Sequence, residues 1–405
     1  MALNQSANAP LDKRTKTYQT VGYYAAFVAL GLMMAALGPT MLDLVEHTGT
    51  SLKAIIYLST ARGFGYLLGS LLGGQLYDRV PATSSMGGSP VMGLMLIVMA
   101  VALAVVPLLP WLWALIALFL LMGMTGGAVD VGGNTLLVWV HREKVGPFMN
   151  GLHFFFGVGA FLAPVIIAQV MARGENLAAY WVLALLVLPV GLGLLRVASP
   201  PSEAEGNAEG KAEGKRRSAN GALLIIMIAA FFFLYTGAEG SFGDWIATYT
   251  ETLGLGTAEV AAYLTSAFWG ALTVGRLLSI PLAMRFRPST LLFVDLGGCI
   301  ISLALILLWP GSLTIAWVAA CGMGLSMASI FPTMISFAER RMTITGQVTS
   351  YFFVGASTGG MAIPWLIGQL FEPVGPGITM VILLADILIA LALFSVLKFK
   401  VDGRQ

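Results

Sequence analysis

The chain has 405 residues, 58% of them hydrophobic and only 10% charged, with a formal net charge of +2. An ordinary soluble domain carries about 25% charged residues, so a chain this apolar cannot cover its own surface in water and reads as integral to a membrane. The near-balanced charge gives no nucleic-acid signal, two cysteines give no disulfide framework, and three unclustered histidines give no metal set.

The first eighteen residues are polar and carry Lys13, Arg14 and Lys16. The apolar run behind them is too long for a signal peptide and lacks a small-residue cleavage site, so it reads as a retained first span. A span needs about twenty mostly apolar residues. Twelve segments qualify, at roughly 19–42, 56–77, 89–108, 111–138, 146–171, 177–197, 220–246, 260–284, 289–309, 312–337, 346–369 and 375–399. They must be helices, because lipid leaves no backbone group unpaired and the runs are too long for barrel strands.

With both termini inside, the inner segments hold 18 of the 22 Lys and Arg residues, and the outer side keeps only Lys53 and Arg173. That asymmetry predicts cytoplasmic termini. The longest polar stretch, "SPPSEAEGNAEGKAEGKRRSANG" at 199–221, falls between spans six and seven and reads as a solvated linker. The expected organisation is a six-helix half over 1–198, a linker over 199–219 and a second half over 220–405. Short loops and no appended domain suggest a bacterial inner-membrane protein, expected as a monomer with the bilayer as its main partner.

The halves repeat. "YLSTA" at 57–61 returns as "YLTSA" at 263–267, and "GVGAFLAPVIIAQ" at 157–169 lines up with "STGGMAIPWLIGQ" at 357–369. The offsets, 206 and 200, agree closely enough to argue for duplication. Two six-helix halves related by an axis along the membrane normal are the plan of the major facilitator transporters. "GQLYDRV" after span two resembles that superfamily's G-x-L-x-D-R signature. The resemblance implies a cytoplasmic latch between the halves at Gly74, Asp78 and Arg79. Pro81 to Thr83 depart from the pattern, and "PLAMRF" at 281–286 lacks the acid, so the latch is expected to be weaker or one-sided. Within the superfamily, "VDVGGNTLLVW" (129–139), "GLHFFFGVGAFLAP" (151–164) and "YTGAEGSFGDWIATY" (235–249) with "YLTSAFWGALTVGRL" (263–277) resemble the fucose permease and sodium-dependent glucose transporter branch.

Several polar groups lie inside the spans. Asp130 sits about eight residues from the inner end of span four, where an acid costs roughly 2.5–3.5 kcal/mol to insert. Asn134 shares its face, four residues on. Gly126, Gly127, Gly132 and Gly133 thin the wall around it for a ligand or another helix. Asp130 is expected to bind the coupling cation, H+ or Na+, and Asn134 to contact substrate hydroxyls. The branch resemblance implies the same role for its matching acid and Asn.

His153 starts span five at comparable depth, and a His–Asp pair with Asp130 would make a proton relay or sugar site. Glu239, with Tyr235 four residues before it, is the second candidate for coupling, near the outer third of span seven. The superfamily's cavity-lining spans would bring it opposite Asp130. Arg62 and Arg276 are the only cations within spans and must find a carboxylate or carbonyl, Arg62 with Glu239 being one geometry. Arg62, Tyr235, Gln169 and the aromatic Trp269 complete the candidate substrate contacts. Asp43 and Asp244 are expected in solvent, and Asp295 and Asp386 have no assignment.

No phosphate loop, nucleophile elbow or HExxH motif is present, which argues against an enzyme and against direct ATP drive. No cofactor is expected. The leading expectation is cation-coupled symport of a sugar or related polar solute by alternating access, with a metal role only for Na+ at Asp130. The alternatives are a proton-driven antiporter exporting drugs or organic anions, and a lipid-handling or sensor protein without ion-coupled flux.

Overall fold

A computed structural model describes residues 13–79, 87–174, 176–201, 219–342 and 346–402. Twelve long helical rods account for nearly all of them. Eleven are long and apolar enough to cross a membrane: Lys13–Thr48, Leu52–Tyr77, Gly88–Leu108, Leu112–His141, Gly146–Met171, Asn176–Leu194, Ala222–Thr252, Ala258–Arg285, Pro288–Leu308, Leu313–Glu339 and Ile378–Lys400. The remaining rod, Gly346–Val374, is just as long at 29 residues, with a more polar sequence. Numbered in chain order it is span eleven, and Ile378–Lys400 is span twelve. The linker falls mostly on 202–218, outside the described residues.

Span one runs further than its apolar core suggests and is broken on the way. Its first helix ends at Met34, Gly38–Thr40 form one tight turn, and a second helix runs over Met41–Thr48. Pro39 cannot continue an ordinary helix, since its ring clashes one turn back and it lacks the N–H. Gly49, at φ 62, ends the second helix in the left-handed conformation that glycine adopts without strain.

Duplication is visible in how the rods pair. Spans one and five meet backbone to backbone, because a Cβ on Gly159 would lie 2.0 Å from the Val28 carbonyl oxygen. Spans seven and eleven repeat that contact: a Cβ on Gly359 would lie 1.8 Å from the Phe233 carbonyl oxygen. Spans two and four pair through Gly69 and Gly127, and spans eight and ten through Gly324. Without a hydrophobic drive between helices in lipid, close packing of this kind is what holds them.

Between the halves, span two packs on span eleven and span five on span eight. These contacts run from mid-depth to the end opposite the chain termini. There Gly38 meets Gly243, the Leu52 N–H donates to Glu372 Oε1 at 2.9 Å, and Gln169 donates to Tyr263. Towards the terminal end, span eight is exposed on every residue from Ile280 to its last at Arg285, and His153 on span five is exposed as well. A cleft therefore opens towards the termini and is shut at the far end.

Candidate transport site

Asp130 lies eleven residues from the end of span four at His141 and eighteen from its start at Leu112. At 1.5 Å per residue that is about 16 and 27 Å from the two ends, deeper than the sequence boundary suggests. Two neighbours hold its carboxylate. The Tyr66 hydroxyl, from span two, donates to Oδ2 at 2.7 Å, and Asn134 Nδ2 donates to Oδ1 at 3.2 Å. The same Asn134 amide also reaches the Asp130 carbonyl at 2.9 Å, so only its carbonyl oxygen is left for a ligand. Asp130 and Asn134 are half-buried. Carboxylate, phenol oxygen and amide oxygen together are the hard donors a proton or Na+ prefers.

The glycines around Asp130 admit helices rather than a ligand. Gly127 faces the span-two backbone at Tyr66, Gly132 takes the Tyr77 ring, and Gly133 takes the Phe27 ring from span one. Phe27 also stands edge-on to His153, with ring centroids 5.9 Å apart. It therefore lies between spans four and five, and the expected Asp130–His153 pair does not form. His153 is instead exposed to the cleft, with the charge of Arg276 across the halves as its ionic neighbour.

Arg276 pairs with Glu239 at 3.7 Å, their side chains 26% and 14% exposed. Both belong to the second half, so Glu239 is held by its own side of the molecule and makes no bond with Asp130. It stands thirteen residues from the end of span seven at Thr252, nearer mid-membrane than expected. Tyr235 is fully buried, its hydroxyl donates to the Met327 carbonyl at 3.2 Å, and the same hydroxyl neighbours the Glu239 carboxylate. The Trp269 ring packs on Gly243, and its Nε1 has no hydrogen-bond partner among the described residues.

Arg62 does not pair with Glu239. Its guanidinium donates to Asp244 Oδ2 at 2.9 Å and to the Met34 carbonyl at 2.8 Å, and Ser59 adds a 3.1 Å bond to the same carboxylate oxygen. Asp244 is 6% exposed, not solvated as expected, because the broken span one brings backbone against it at Gly38. Asp43 is likewise partly buried and takes a hydrogen bond from Asn176.

The other expected contacts lie elsewhere. Gln169 sits two residues from the end of span five, far from His153, and its bond to Tyr263 crosses to span eight. Gly74 lies in span two, while the side chains of Asp78 and Arg79 fall outside the described residues. Asp295 accepts from Ser329, and both carboxylate oxygens of Asp386 are buried with no hydrogen-bond partner among the described residues. A cavity of about 820 Å³ lined by Ala230, Phe233, Val354 and Ile389 is apolar and holds none of these groups. Among the described residues, no three His, Cys, Asp or Glu side chains gather as a metal site. Tyr66 and Asp244 are the two site residues that sequence reasoning missed.

The sequence model of the Major Facilitator Superfamily matches residues 23–364. A Xenopus laevis protein named sodium-dependent glucose transporter 1 is 31% identical over 366 residues, which is 84% of this chain and 73% of that protein. The Mus musculus sodium-dependent glucose transporter 1A is 31% identical over 389 residues, covering 86% of this chain and 88% of its own. Among solved structures, a mutant of the nucleoside transporter NupG superposes with a TM-score of 0.75 at 13% identity, over 95% of this chain and 99% of that one. A bacterial homologue of the human lysosomal transporter Spinster gives 0.73 at 12%, over 97% and 98%. At those identities the structural likeness speaks for the fold alone.

Proposed function

We propose that this chain, which belongs to the major facilitator superfamily, takes up glucose or a closely related sugar together with Na+. The observation that carries the reading is the 31% identity, over most of both chains, to proteins named sodium-dependent glucose transporters. The site supports it. Asp130, half-buried at mid-span and held by the Tyr66 hydroxyl and the Asn134 amide N–H, is the acid that would take the cation. His153, Glu239 and Arg276 face the cleft with the donors and acceptors that sugar hydroxyls need.

Coupling follows from charge. An empty Asp130 carboxylate is costly to carry through a closed, dry intermediate, and a bound cation removes that cost. The halves then rock about the loaded site, which becomes reachable from each side in turn. The loop cations support cytoplasmic termini, so the cleft described here faces inward. The test is uptake of radiolabelled glucose, galactose and fucose into proteoliposomes with Na+ and pH gradients imposed separately. Accumulation under a Na+ gradient supports the reading. Accumulation under a pH gradient alone changes the ion, and none under either sinks it.

A further inference from the structure

Building on that alternating-access reading, we infer that Asp244, acting through Arg62, is the residue that holds the far face of the transporter shut. The ion pair Arg276–Glu239 joins neighbours in one half. Arg62–Asp244 joins span two to span seven, and so joins the halves. Both side chains are under a tenth exposed, and the guanidinium is already committed to Asp244 and Met34. Its burial behind Asp244 and Met34 keeps a sugar from reaching it, so Arg62 is a positioning residue and not a substrate contact.

The local fold explains why the pair forms only when the far face is closed. Where the first helix of span one stops at Met34, its last carbonyls lose their helical partners. Arg62 takes up the Met34 carbonyl. A Cβ on Gly38 would lie 2.9 Å from Asp244 Cα, so the break lets span seven press directly on span one. Ser59 then adds a second donor to the same carboxylate oxygen. Pulling the halves apart at this level must break the short buried pair together with its Ser59 and Met34 bonds. The clasp therefore biases the resting protein towards the terminus-open state.

Ile56 reports on that face: it is fully buried and packs on Gly368 of span eleven, across the halves. The experiment is the labelling rate of an Ile56→Cys variant by a polar maleimide in lipid nanodiscs, with the parent chain giving the background of Cys299 and Cys321. Asp244→Asn should speed labelling at least about tenfold, a population shift of that size. Ser59→Ala and Arg62→Lys, which keep part of the clasp, should raise it by smaller factors. Unchanged rates in Asp244→Asn overturn the inference. If that variant does not fold, the two milder variants decide, and parental rates in both overturn it. An Ile56→Cys rate that ignores added glucose and Na+ in the otherwise unaltered chain counts against the transport reading instead, leaving the comparison among variants to judge the clasp.

Discussion

The Tyr66 hydroxyl donates to Asp130 Oδ2 at 2.7 Å, across a seam where spans two and four touch backbone to backbone. Because the seam fixes Tyr66, the phenol holds the carboxylate in one orientation rather than following it.

Tyr66→Phe removes that bond and leaves the ring. A hydrogen bond to a charged group contributes about 1.5–3 kcal/mol. Gradient-driven uptake should fall roughly tenfold or more, while sugar exchange at equal cation on both sides is largely kept. Parallel uptake and exchange assays on one preparation check this; equal losses in both would point to a packing role only.

The two ion pairs should separate in stability and activity. Arg62–Asp244 is short and buried, so Asp244→Asn should cost about 3–5 kcal/mol, the range for a broken buried pair. Arg276–Glu239 is longer and partly exposed, so Glu239→Gln should cost under about 1 kcal/mol. Glu239→Gln should nonetheless weaken sugar binding by tenfold or more, since it changes the cleft lining. Thermal unfolding followed in detergent, beside sugar-binding titrations, gives both numbers.

Two glycines should answer to alanine with opposite signs. At Gly359 the added carbon meets the Phe233 carbonyl oxygen, and the seven–eleven seam must open, at a cost of about 1–3 kcal/mol or more. At Gly193 nothing lies within 4 Å, and the helix should gain about 0.5–1 kcal/mol. Melting temperatures of the two variants, measured side by side, decide.

Much of the fold was legible because composition and period act locally. Twelve apolar runs, the loop cations and the offsets near 200 need no knowledge of which helix meets which. Asp130 and Asn134 were legible for the same reason, being four apart on one helix. The partners were not. Arg62 and Asp244 are 182 positions apart, and their pairing depends on a break in span one that only Pro39 signals. The glycines of span four announced a close approach but not its occupant, and one of them admits the Phe27 ring that keeps His153 from Asp130. Tyr66 carried a signal that could have been used: it follows Arg62 by one helical turn, placing a second polar tip on a face already known to carry charge.

The most direct test of the account is glucose transport by Asp130→Asn in proteoliposomes, with accumulation under a Na+ gradient and counterflow exchange measured on the same vesicles. The account predicts that accumulation disappears while counterflow persists, because the sugar contacts and both halves stay intact and only the cation's charge partner is gone. Accumulation at the parental level in Asp130→Asn would contradict it and take the coupling role away from this acid.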